Sequence, residues 1–273
     1  MIKNRKSKFL CRPSFDKPIV FCFNHAGGNA MAYQKWMSSD ERVDFIPAEL
    51  PGHGIRISET RMEDIKDVSR QFAKEIAEMM AFRKNTEFSV FGHSLGAIIA
   101  FNVVHRLEKK YMLSPTCLQV AGREAPQEED PSSYRTSMGK EALLEELVNY
   151  GATPTELLEN KEYMDEYVLP IMFSDYKISE SFVYTNQKVS APIVAYYGRE
   201  DMGAGEKVMA EWEKVTTGGF KLRGFAGGHF FVLDEQNNFQ YTLATDLCKF
   251  VKKPKTSSKI IIPKAVHYER GVI

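Results

Sequence analysis

Cysteine is scarce in this chain and follows no pattern. The four cysteines, Cys11, Cys22, Cys117 and Cys248, lie far apart with no CxxC pair, which argues against a disulfide framework or a zinc site. Cys22 and Cys117 fall inside apolar runs, where a free thiol behaves as a small hydrophobe. No stretch approaches the ~18 consecutive apolar residues that span a bilayer, and the basic N-terminus MIKNRKSKFLCRP lacks the apolar run of a secretory signal. Excess charge is missing too. Thirty-six basic residues balance thirty-six acidic ones, whereas phosphate contacts to nucleic acid call for clustered Lys and Arg. There is no internal repeat. These absences predict a soluble, cytoplasmic protein with no nucleic-acid partner and no membrane span.

What is present is ordinary globular composition, 43% hydrophobic and 26% charged over 273 residues. That suits one large domain, or one domain carrying an insertion. Short apolar runs alternate with amphipathic stretches, the pattern of a mostly parallel sheet flanked by helices. The runs expected as strands are Pro18–Phe23, Val43–Ala48, Phe88–Phe91, Cys117–Ala121, Pro192–Tyr197 and Phe220–Phe225, with Lys8–Cys11 as a weaker edge, about seven in all. Their near-continuous β-branched and aromatic content suits strands buried on both faces. Between them, Met62–Met80 puts Ile65, Val68, Phe72, Ile76 and Met79 on one helical face. Ala97–Lys110 ends in basic residues, as a helix C-terminus favours. Glu206–Thr217 and Phe239–Lys252 read as two later helices.

The alternation stops between about residues 125 and 184. Three helical pieces are expected there: Lys140–Tyr150, a helix opened by Thr153-Pro154-Thr155-Glu156 with its N-cap, first-turn proline and capping-box acid, and one capped by Asn160 that ends before Pro170. A helical insertion of this size is expected to act as a lid over the strand C-termini, where ligands bind in such folds. Residues 1–252 thus form a single domain with a helical insertion, and 253–273 a C-terminal extension of undetermined role.

Chemistry concentrates in four motifs. Gly92-x-Ser94-x-Gly96 follows an expected strand and opens an expected helix, the setting of a nucleophile elbow. The turn is tight, so the residues two before and two after the serine must be small. The turn lifts the hydroxyl above the sheet and places the Leu95 N–H beside a developing oxyanion. A serine hydroxyl needs a base. Of six histidines, His229 in FAGGHFF directly follows the last expected strand, at the same sheet edge. The acid falls between them in the order Ser…Asp/Glu…His. Asp201 in YYGREDMGAG is favoured over the neighbouring Glu200 and would hold the His229 tautomer. NHAGGN after the first strand resembles an HGGG-type loop, with Ala26 as the second oxyanion donor. His25 is read as shaping that loop, His53 as a loop residue near the pocket, and His93 as packing beneath the elbow. His105 and His267 carry no signal. The pattern predicts an α/β-hydrolase fold and a serine hydrolase.

With these motifs in hand, the chain resembles the external (type II) thioesterases of nonribosomal peptide and polyketide synthesis. The similarity runs from about Lys17 to Lys252 through FNHAGGNA, ELPGHGIR, FGHSLGA, AGREAP, YYGREDMGA and FAGGHFFV. It includes the segment LLEELVNYGATPTELLENKEYMDEYVLPIMFSDYKISESFVY, similar to that family's lid. The resemblance implies a stand-alone monomeric enzyme that hydrolyses acyl groups from the phosphopantetheine arm of acyl or peptidyl carrier proteins, clearing stalled or wrongly primed thioesters. It implies no cofactor of its own, since the substrate brings the phosphopantetheine. Ser94, Asp201 and His229 match the family's triad, and Ala26 and Leu95 fall where its oxyanion donors lie. Two departures stand out: His53 occupies a position where the family often has arginine, and the tail beyond Lys252 is long. Lys161, Lys177 and Lys188 are candidates for contact with an acidic carrier. The competing readings are a small-molecule esterase or lipase, an acyl transferase or cyclase, and a non-catalytic ligand-binding protein of the same fold.

Overall fold

The short β-branched and aromatic runs form six strands: β1 (Ile19–Phe23), β2 (Asp44–Pro47), β3 (Phe88–His93), β4 (Cys117–Ala121), β5 (Ile193–Gly198) and β6 (Phe220–Phe225). They are seen in a computed structural model that describes residues 8–130, 132, 134–150 and 160–250. The order is β2-β1-β3-β4-β5-β6, with every neighbouring pair parallel. The expected seventh strand is reduced to one antiparallel bridge between Phe9 and Ala48. A buried aromatic holds that segment rather than a ladder: the Phe9 ring packs 5.1 Å from that of Phe21 and 5.6 Å from that of Phe72. β6 differs from the expectation of full burial, since all six of its residues are only partly covered. It is the edge strand of the sheet, with no strand beyond it among the described residues.

Helices among the described residues include α1 (Ile65–Ala81), α2 (Leu95–Tyr111), α3 (Lys140–Tyr150), α4 (Leu169–Glu180), α5 (Glu206–Ala210) and α6 (Phe239–Phe250), with a 3-10 segment at Ala30–Ser38. α1 starts after Met62 because Asp64 caps it, its carboxylate accepting from the amides of Lys66 and Asp67. Its buried face holds Ile65, Val68, Phe72 and Ile76 as expected, and Met80 rather than Met79 completes it. α1 and α2 share one core with Phe21, Phe23 and Val90. On the other face, Tyr33 and Trp36 from the 3-10 segment join Phe91 and α6 residues Phe239 and Leu243. The sheet is therefore covered on both sides, which is why its central strands tolerate near-continuous apolar sequence.

The helix capped by Asn160 does not end before Pro170. A turn at Lys161–Tyr163 passes through a π-turn at Met164–Val168 directly into α4, with Pro170 in the first turn of α4. The wider π-turn suspends the usual i→i−4 ladder where proline has no N–H to give. The stretch Thr153–Glu156 and the extension 253–273 lie outside the described residues. No helix among the described residues is long and apolar enough to cross a membrane. All four cysteines are unpaired.

This topology fixes where a ligand can bind. The chain runs from β1 out to the edge strand β2 and then back to β3 on the other side of β1. Loops leaving β1 and β3 therefore part company at their carboxyl ends and open a crevice between them. NHAGGN leaves β1 at that point, and Ser94 leaves β3 beside it.

Candidate active site

Ser94 sits between the last residue of β3 and the first of α2 with φ 54° and ψ −119°, a conformation rarely adopted by side-chain-bearing residues. The turn closes only because its flanks lack side chains. A β-carbon on Gly92 would lie 2.0 Å from the carbonyl oxygen of Gly96, and one on Gly96 would lie 2.2 Å from that of Phe23. The Ser94 amide donates to the Ala121 carbonyl at 2.8 Å, pinning the elbow to β4. Leu95 opens α2, so its amide belongs to the first turn, whose N–H groups have no intrahelical acceptor. Gly96→Ala should therefore push the elbow off β1 and cost about 3 kcal/mol of stability, seen as a lowered denaturant midpoint. A midpoint unchanged within error would mean the turn has more room than these contacts allow.

The loops after β5 and β6 bring Asp201 and His229 together. His229 donates from Nδ1 to Asp201 Oδ2 at 3.0 Å. The other carboxylate oxygen accepts the amides of Gly203 at 3.0 Å and Ala204 at 3.1 Å. Burial pushes the Asp201 carboxyl up, but the hydrogen bond and charge of His229 and the two amides outweigh it, leaving Asp201 below the ordinary carboxylate range. Glu200, the rival acid, is turned away and accepts from the Gly227 amide. Ser94, Leu95, Ala26 and His229 line one cavity, so the structure gathers four of the five sequence-predicted residues on its wall and holds Asp201 behind the fourth. Leu147 from α3 and Met172 from α4 form its apolar side.

His93 and His25 lie beside His229. His93 is buried, and its Nε2 donates to the His229 carbonyl at 2.8 Å. Burial, helped by nearby His229 and His25, holds His93 well below the ordinary histidine value and hence neutral. It does more than pack, because it fixes the backbone of the loop that presents His229. His25 lies against Phe230 and His93, with ring centroids at 5.1 and 5.5 Å. Burial and the neighbouring His229 lower it to about 4 against an opposing pull from Asp175, so it adds no charge to the cavity wall near neutral pH. His53 lies in the loop after β2, a loop residue as expected. It is buried, and its Nε2 meets Asp175 of α4 at 3.1 Å.

Asp175 is the residue that motif reading missed. Its Oδ2 also accepts the Gly27 amide at 2.8 Å, and it is 1% exposed. A signal was available: Leu169, Met172, Asp175 and Ile178 recur every third residue, and all four are buried. An acid on the buried face of an amphipathic helix needs a partner. His93 offered no such signal, since its partner is a backbone carbonyl brought near only by folding. Of the three lysines considered for carrier contact, Lys177 is paired with Glu63 at 2.9 Å, while Lys161 and Lys188 are exposed.

Residues 18–250 match the sequence profile of the family described as Thioesterase domain. The chain belongs to the thioesterase family. The thioesterase is 30% identical over 218 residues to Thioesterase PikA5 of Streptomyces venezuelae, covering 79% of this chain and 76% of that protein. It is 28% identical over 252 residues to the protein named linear gramicidin dehydrogenase LgrE of Brevibacillus parabrevis, covering 90% and 94%. Among solved structures it resembles the type II thioesterase BorB from the borrelidin biosynthetic cluster, with a TM-score of 0.71 and 28% identity, covering 87% of this chain and 95% of that one. The fold of the thioesterase is the α/β-hydrolase fold, and the enzyme is a hydrolase of the serine type. The LgrE name does not transfer: where a dinucleotide-binding turn would follow β1 with GxGxxG, this chain has Asn24-His25-Ala26-Gly27-Gly28-Asn29.

Proposed function

We propose that this chain is a type II editing thioesterase that removes stalled or aberrant acyl groups from the phosphopantetheine arm of carrier proteins. The observation that carries the reading is the Asp201–His229 pair at 3.0 Å, whose histidine opens onto the same cavity as an elbow-borne Ser94. Ser94 is the nucleophile, His229 the base and Asp201 the orienting acid. His229 accepts the Ser94 proton as the hydroxyl oxygen attacks the thioester carbonyl. The amides of Ala26 and Leu95 hold the oxyanion until the C–S bond breaks, and the His229 imidazolium returns its proton to the departing pantetheine sulfur. A water deprotonated by His229 then attacks the acyl-serine, the acyl–Oγ bond breaks to release the acid, and His229 returns the proton to Ser94. Thiolate is a good leaving group, so oxyanion stabilisation dominates the barrier; losing one such donor costs about 10²–10³ in rate.

No cofactor is needed for these steps, because the substrate supplies the pantetheine. The helical segment of about residues 125–184 serves as a lid on a single domain, and the enzyme works as a cytoplasmic monomer beside its synthase. Type II relatives such as BorB support the choice of a carrier-bound thioester over a free ester. The test compares kcat/KM on one acyl group presented three ways: on a carrier protein, on free pantetheine, and as a simple oxygen ester. The carrier-bound form is expected to be at least tenfold the best. Faster turnover of the oxygen ester would instead identify a small-molecule esterase, and a transferred or cyclic product an acyltransferase.

A further inference from the structure

We propose that Asp175 is a positioning residue of the oxyanion loop, clamping the Gly27 amide from α4 while itself gripped by a doubly protonated His53. The proposal rests on the reading above of Ala26 as an oxyanion donor. The Ala26 N–H is one Cα from the Gly27 amide, and Gly27 adopts φ 74° with a second glycine behind it. Such a segment has many accessible conformations, so its amides need an external anchor to stay preorganised. Asp175 Oδ2, at 2.8 Å from the Gly27 nitrogen, supplies one.

The protonation of His53 follows from its partners. Nε2 faces Asp175 Oδ2 at 3.1 Å and Nδ1 faces the Pro51 carbonyl oxygen at 3.1 Å. A carbonyl oxygen and a carboxylate both accept. A neutral imidazole has one N–H and would turn a lone pair on one of them; the imidazolium satisfies both. The shared proton belongs on nitrogen, because imidazole is the stronger base. The ion pair is almost dry, with His53 2% and Asp175 1% exposed.

Three further charged or titratable groups lie around it, on two loops. Glu49, on the loop after β2, favours the imidazolium. Arg56 anchors that loop by donating to the Glu49 carbonyl at 2.6 Å. His25, neutral, lies on the oxyanion loop beside Asp175. Burial works against the His53 charge, but Asp175, the Pro51 carbonyl and Glu49 together outweigh it and raise His53 above the ordinary histidine value. The pair stabilises the fold fully below about pH 6.5, the unfolded value, and that contribution is lost as pH rises through the raised folded value. Over that window one of the two His53 contacts loses its donor.

The experiment has a kinetic and a spectroscopic arm, both on the full chain. Asp175→Ala removes the acceptor, whereas Asp175→Asn keeps an oxygen where Oδ2 stands. With an acyl carrier-protein thioester at pH 7, the alanine variant is expected to lose ten- to hundredfold in kcat with KM within threefold, and the asparagine variant to recover to within threefold of the parent. A two-bond 1H–15N spectrum of the unaltered protein, with the His53 signals assigned by their loss in His53→Gln, is expected to show both ring nitrogens protonated at pH 7. In Asp175→Asn only one is expected to be. A kcat within twofold of the parent for Asp175→Ala, or a singly protonated His53 at pH 7, overturns the proposal. Should the alanine variant fail to fold, the asparagine variant and the spectrum still decide. A parent enzyme without thioester hydrolysis would sink the functional reading instead, and the spectrum is independent of that.

Discussion

Replacing Ser94 with alanine is expected to lower kcat for thioester hydrolysis on the order of 10⁶-fold, the scale on which serine hydrolases lose turnover with their nucleophile. The fold should survive. The backbone at residue 94 is held by the amide bond to the Ala121 carbonyl and by close packing of Gly92 and Gly96, none of which involves the hydroxyl. Alanine suffers no more at φ 54° than serine does. Two measurements check this: single-turnover hydrolysis of an acyl carrier-protein thioester, and the mass of the protein after treatment with a fluorophosphonate. The parent should gain one adduct and the variant none. Undiminished turnover in the variant, with contaminants excluded, would remove Ser94 from the mechanism.

The second large effect is expected at Asp201. Its two oxygens have divided duties: Oδ1 accepts the amides of Gly203 and Ala204, and Oδ2 takes the proton of His229 Nδ1. In Asp201→Asn the two amide donors fix the side-chain oxygen on their side. The new NH2 group must then face the imidazole. A donor in that place forces Nδ1 to accept, so the ring proton moves to Nε2, the nitrogen that has to take the Ser94 proton. The base is present but in the wrong tautomer. A drop of about 10⁴-fold in kcat is expected, with KM little changed and stability near that of the parent. A loss under tenfold at neutral pH would show that His229 does not depend on this carboxylate for its tautomer.

Much of the molecule was legible before folding was considered. All six longer strand runs formed where β-branched and aromatic residues cluster, because a buried strand needs that chemistry along its whole length. The elbow was legible because its requirement is local: Gly92 and Gly96 are spaced by the turn itself. Asp201 and His229 were legible through strand ends, since each directly follows a parallel strand, and parallel strands deliver their C-termini to one edge.

Other features resisted. Ser89 and Gln119 lie in strands expected to be apolar, yet both are fully buried. Ser89 donates to Gln119 at 2.7 Å, Gln119 donates to the Tyr196 hydroxyl at 2.9 Å, and that hydroxyl donates to Asp246 of α6 at 3.1 Å. Buried polar groups of this kind are admissible only when each finds its partner, and the partners come from β4, β5 and α6. The continuation of the helical run through Pro170 was also hidden, because a π-turn has no clear local signature.

By itself, the sequence determined the class of sheet, the strained serine turn and the placing of Ser94, Asp201 and His229 at the carboxyl ends of strands, all of which depend on short-range sterics or on strand polarity. Only the tertiary structure decided that Asp201 and not Glu200 meets His229, that His93 holds the His229 backbone, and that Asp175 ties α4 to the glycine loop and His53. The physical reason is common to all three. A hydrogen bond between residues far apart in the chain exists only once the packed layers have set distance and direction, and no local pattern encodes either.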